Sequence, residues 1–99
     1  MNTTPAQVRK LLKQHKLPYD ITKTEGFWYV HGPDTILWEH TNLMTKYFYG
    51  KSAEFWVDLI VGMHQQNRDR INLESADQET KDAFVAVDNF LQWQERVAS

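Results

Sequence analysis

The chain contains no cysteine. That excludes a disulfide framework, a thiolate metal site and cysteine catalysis, and it suits a reducing compartment. Nor does any apolar run approach the roughly 20 residues that a spanning helix needs. The opening Met1-Asn2-Thr3-Thr4-Pro5 has neither the basic nor the apolar region of a secretory signal, so a cytoplasmic protein without membrane contact is expected. Glycine and proline are few, four and three, and scattered. They form no phosphate-cradling loop, no G-x-G-x-x-G and no nucleophile elbow, which leaves nucleophilic catalysis without support. His15, His31, His40 and His64 lack the i, i+4 spacing of a helical zinc pair, and no metal or cofactor is expected. His15 falls on an apolar helical stripe and reads as a core histidine.

Net charge is also small, −2, but it is unevenly spread. Residues 1–24 carry Arg9, Lys10, Lys13, Lys16 and Lys23 against Asp20 alone, whereas residues 69–99 carry seven acids against Arg70, Lys81 and Arg96. Two solvated faces that attract each other explain this split, as does a basic binding face beside an acidic helix.

What the chain has in excess is aromatic residues. Nine of thirteen lie between Phe27 and Trp56: Phe27, Trp28, Tyr29, Trp38, Tyr47, Phe48, Tyr49, Phe55 and Trp56. Each large ring carries a major share of the burial energy available to a small core or an interface. A length of 99 residues fits one domain, 1–99, with a core at 1–68 and a C-terminal helix at 75–97.

The local signals predict an α+β fold. Thr4, Pro5 and Gln7 make a capping box with proline at the first helical position. Val8, Leu11, Leu12 and His15 then recur with helical period, and Pro18 ends the helix near residue 16. Residues 19–24 alternate as a strand up to Glu25-Gly26. Phe27–His31 and Thr35–His40 are rich in strand formers around Gly32-Pro33-Asp34, which predicts an aromatic hairpin. Leu43–Tyr49 is a further edge strand, giving an antiparallel sheet of three or four strands. Ser52 caps a second helix that is apolar on nearly every side. Within it Gly62 suggests close approach of another backbone. Glu54 and Asp58, at i and i+4, share its wet stripe and are the carboxylate pair to consider for acid–base work, though a solvated stripe is the simpler explanation. Ser75 and Gln78 form a second capping box for a helix running to Val97, with Val85 and Trp93 off its apolar stripe.

The helix–three strands–helix order over residues 4–67 is similar to double-stranded-RNA-binding domains and to small toxins of the same layout. Their motifs do not carry over: only Lys51 precedes Ser52-Ala53-Glu54 in place of a lysine cluster, and His31 arrives late after Gly26. The run from Glu25 to Thr35 with Trp38, followed by Ser52-Ala53-Glu54-Phe55-Trp56, resembles small orphan proteins of phages and mobile elements. That resemblance covers about a third of the chain. It implies an accessory protein that inhibits or modulates a host complex, of the anti-defence or anti-CRISPR type.

Both hairpin faces are apolar, so one is left for a cover. The resulting expectation is a non-enzymatic protein-binding module with Trp28, Trp38, Tyr47, Tyr49 and Trp93 as anchors, since tyrosine and tryptophan dominate interface hot spots. The partner is a host protein complex, with a homodimer as the other use of the surplus face. Nucleic-acid binding through Arg9, Lys10, Lys13 and Lys16 is the alternative, and a small hydrolase or nuclease is a second one.

Overall fold

The structure is a computed structural model that describes residues 2–98. It is α+β, with three helices and a two-stranded antiparallel sheet. Helix α1 spans Pro5–Gln14, strand β1 Asp20–Thr24, strand β2 Phe27–His31, helix α2 Ala53–Asn67 and helix α3 Gln78–Ala98. The molecule measures 41 × 38 × 19 Å, so it is a flat body in which one face of the sheet is covered by helices.

The first helix follows its caps. The Gln7 N–H donates to Thr4 Oγ1 at 3.2 Å and the Thr4 N–H donates to Gln7 Oε1 at 2.9 Å, closing the capping box. At the other end Lys16 takes φ +58° while the N–H groups of Lys16 and Leu17 return to the carbonyls of Lys13 and Leu12. This is a Schellman turn with a lysine where glycine is usual, and Leu17 is buried as the motif requires. Val8 and Leu12 are buried, whereas His15 is only half-buried. The expected core histidine therefore lies at the rim, because it caps the helix and packs its ring beside Trp93.

The hairpin is displaced from its predicted place. β2 pairs backwards with β1, Thr22 opposite Tyr29, across a two-residue turn at Glu25-Gly26. Glu25 has φ +53° and Gly26 φ +86°, the double left-handed geometry of a type I′ turn, whose twist matches the strands. Gly32-Pro33-Asp34 is no hairpin loop. It leads into a 3-10 turn at Thr35–Leu37, so the predicted strand Thr35–His40 does not form. Gly32 is required for space: a Cβ there would stand 2.6 Å from the Tyr19 ring and 2.9 Å from the Pro18 carbonyl oxygen.

The predicted edge strand Leu43–Tyr49 is also corrected. Val30 N–H donates to Thr41 O and Leu43 N–H to Trp28 O, both at 2.9 Å, but only a single bridge, Tyr29 with Asn42, results. Beyond it the Trp28 N–H still reaches Thr45 O at 3.1 Å, but local side-chain bonds and a left-handed residue distort the ladder. Asn42 Oδ1 accepts from the Met44 N–H, Met44 takes φ +59°, and Thr45 Oγ1 bonds both the N–H and the carbonyl of Tyr47.

Ser52 caps α2 by accepting from the Phe55 N–H. Its buried residues include Trp56, Val57, Ile60, Val61 and His64. Gly62 meets no close neighbour, since an added Cβ would find nothing within 4 Å, so the expected backbone approach is absent. Helix α3 begins at Gln78 and not at residue 75. Asp77 supplies the cap, its Oδ1 accepting from the Thr80 N–H at 2.9 Å, while Ser75 bonds the Asn72 carbonyl. Ala83, Phe84, Val87 and Phe90 face the core, and Val85 and Trp93 lie outside it.

Candidate functional site

The five predicted anchors separate. Trp38 belongs to the core: it is 6% exposed and its Nε1–H donates to Asp34 Oδ2 at 3.0 Å. It is thus withdrawn from the surface by a polar cluster that sequence patterning did not reveal. Asp34 also accepts from Tyr19 Oη, 2.9 Å from Oδ1, and from His64 Nδ1, 2.8 Å from Oδ2. Asp34 and His64 are fully buried. Burial pushes the Asp34 carboxyl upward, but the donors from His64, Tyr19 and Trp38 outweigh it and hold the carboxyl below its usual range. The Tyr19 phenol is pushed far up, chiefly by burial and then by the neighbouring Asp34 charge.

An aspartate, a histidine and a tyrosine within hydrogen-bond reach are the components of acid–base chemistry. Here the cluster is sealed. His64 Nε2 has no hydrogen-bond partner among the described residues, and the ring meets Phe84 of α3 edge-on at 4.7 Å. The cluster joins the start of β1, the 3-10 turn and α2 at one point, which is a structural pin. One signal was visible in advance: His64 follows Val57, Ile60 and Val61 at the spacing of a single buried stripe.

Trp28 is half-buried. It packs on Phe48 at 4.9 Å, with the Arg9 guanidinium 5.8 Å from its ring. Tyr47 and Tyr49 are different. They are 55% and 58% exposed, and their rings stack at 5.0 Å with an interplanar angle of 29°. The segment that carries them is anchored by Leu43 and Phe48, which are 5% and 2% exposed. Phe48 in turn meets Trp56 edge-on, and its carbonyl accepts from Trp56 Nε1 at 2.9 Å. A buried residue on a loop therefore fixes the two tyrosines on either side of it.

One cation lies against this pair and two more lie against the rings of Phe27 and Phe55. Lys23 Nζ lies 6.0 Å from the Tyr47 ring, Lys46 Nζ 5.6 Å from Phe27 and Lys51 Nζ 5.2 Å from Phe55. Phe55 is the next exposed ring along the chain, at 42%. Met44, 75% exposed, adds a flexible apolar side chain to the same segment. Trp93, the fifth anchor, lies elsewhere, against His15 and Phe90.

The basic face of α1 is divided as well. Arg9 bonds Asp20 Oδ1 at 3.1 Å and the Ile21 carbonyl at 2.9 Å. Asp20 Oδ1 also accepts from the Ile21 N–H. Trp28 and Val30 turn their backbone groups away from β1, so by alternation Ile21 presents its own to the open edge. Arg9 and Asp20 cap that edge and guard it against another strand. Lys10 lines a cavity with Glu54, and Lys16 reaches the end of α3. Arg9 is thus engaged within the fold, whereas Lys10 and Lys13 are exposed on α1 and Lys16 is exposed just beyond its end. Of the carboxylate pair, Asp58 accepts from Gln94 of α3.

Among the described residues no group of three or more histidine, aspartate or glutamate side chains could hold a metal ion, and no helix is long and apolar enough to cross a membrane. No protein-family model matches the chain, and no curated protein or solved structure matches it.

Proposed function

We propose that the chain is a non-enzymatic protein-binding module whose contact surface centres on Tyr47 and Tyr49. The observation that carries this reading is that two tyrosines are more than half exposed and stacked on each other, on a segment held down by buried Leu43 and Phe48. The fold gains little from leaving them there. A partner gains much, because stacked rings on an anchored segment present large amphipathic area with little rotamer entropy left to lose. The lysines at 23, 46 and 51 set the character of the partner: an apolar centre with an acidic rim. Taken with the resemblance to small phage and mobile-element proteins, the partner is a host complex and the result of docking is stoichiometric inhibition.

The test is capture from a nuclease-treated bacterial lysate with the tagged protein and with its Tyr47→Ser/Tyr49→Ser variant. The reading expects a stoichiometric protein retained by the first and lost by the second, at equal melting temperatures. Retention that is indifferent to the two substitutions would refute it.

A further inference from the structure

A second feature does not depend on the tyrosine surface. The end of α1 and the last turns of α3 enclose a groove of about 470 Å³ lined by Gln14, His15, Lys16, Asn89, Trp93 and Arg96, together with the nearly buried Phe90. It brings two full cations from opposite ends of the sequence to one place, with two side-chain amides, an imidazole and an indole. No carboxylate is among the lining side chains. Lys16 and Arg96 form no ion pair among the described residues. Asp82 occupies an adjoining depression beyond His15 and Lys16, where its Oδ1 accepts from Gln78 at 2.8 Å.

From this groove we infer a binding site for a nucleoside phosphate, free or as a unit of a single strand. Trp93 is the platform. Phe90 lies nearly parallel to it at 5.9 Å and His15 is tilted against it at 4.4 Å, so the indole is held in place with 41% of its surface open. An open indole beside cations that form no ion pair among the described residues is the combination that holds a base by stacking and a phosphate by charge. Arg96 adds a planar fork suited to two phosphate oxygens, and Asn89 and Gln14 offer amides to a base edge or sugar. Lys16 adds a further observation. It occupies a left-handed backbone position, φ +58°, which glycine would take without strain. Cations near helix C-termini also offset the helix dipole, but that role requires neither a strained lysine nor an open indole.

The experiment is an NMR titration of the Trp93 indole N–H with adenosine monophosphate, ribose phosphate and a short single-stranded oligonucleotide. A saturable shift with the nucleotide, weaker by about tenfold or more with ribose phosphate, is expected. Lys16→Gly should raise the melting temperature and weaken binding by about tenfold, and Arg96→Gln should weaken it similarly. Because Lys16→Gly relieves strain, its loss of binding cannot be attributed to unfolding. Tighter binding of the oligonucleotide with a steep salt dependence would assign the ligand to a strand, and equal affinity to a free nucleotide. No saturable shift with either nucleotide probe, or binding unchanged in both variants, overturns the proposal. The Tyr47→Ser/Tyr49→Ser protein should bind these probes normally, so this site and the tyrosine surface fail independently.

Discussion

Asp34 shows how one side chain can decide a small fold. Its carboxylate receives three donors from three separate parts of the chain in a place closed to water. Asp34→Asn replaces a charged acceptor with a group that also carries donors, in a site already full of them. It should cost about 3 kcal/mol at neutral pH, measured by denaturant unfolding. Because the folded-state carboxyl lies below its ordinary value, its contribution is complete above the unfolded-state value of about 3.9 and is lost as pH falls through the lower folded value. The stability gap between wild type and variant should therefore stay constant near neutrality and close progressively below about pH 4. Gly32 guards the same cluster by leaving room for the Tyr19 ring. Gly32→Ala should cost about 2 kcal/mol by forcing ring or backbone to shift, and a full melting curve at neutral pH would measure it.

At the scale of elements, the first two helices were readable from their caps and stripes and the third from its stripe alone, because those signals are local and Asp77, not Ser75, caps α3. Thr4 with Gln7, and Ser52, act as their spacing predicts. The sheet was misread where two turn signals competed. Proline at 33 has a fixed negative φ and cannot supply the double left-handed turn that a tight hairpin favours, whereas Glu25-Gly26 can. The strand after Leu43 keeps only the bond from Trp28 N–H to Thr45 O, because the side chains of Asn42 and Thr45 bond the nearby backbone and Met44 turns left-handed between them. The buried cluster was hidden because Tyr19, Asp34 and His64 are brought together only by the tertiary fold. The candidate site was half legible: exposed Tyr47 and Tyr49 could not be told from buried Trp38 without knowing which element each belonged to. Two glycines give tests of opposite sign. Gly26→Ala meets open space but must hold φ +86°, so it should destabilise by about 1 kcal/mol through backbone strain alone. Gly62→Ala also meets open space but lies inside α2, where it should stabilise by about 1 kcal/mol. Thermal unfolding of the two variants against wild type measures both.

Across the whole molecule, the flat shape distributes function to its surfaces. Helices cover one side of the sheet and pack around a core that runs from Val8 through Phe48 and Trp56 to Phe90. The edge at β1 is closed by Arg9 and Asp20, which discourages strand addition as a binding mode. What the molecule offers a partner is an anchored pair of rings with Lys23 against one of them, and that is the central claim. The most direct test is to purify the protein retained by the wild-type chain and titrate it with the Tyr47→Ser/Tyr49→Ser variant. The account predicts an affinity loss of more than about a hundredfold, or roughly 3 kcal/mol, with the melting temperature of the variant unchanged. Wild-type affinity in the variant would contradict it, as would a loss of binding that comes with unfolding.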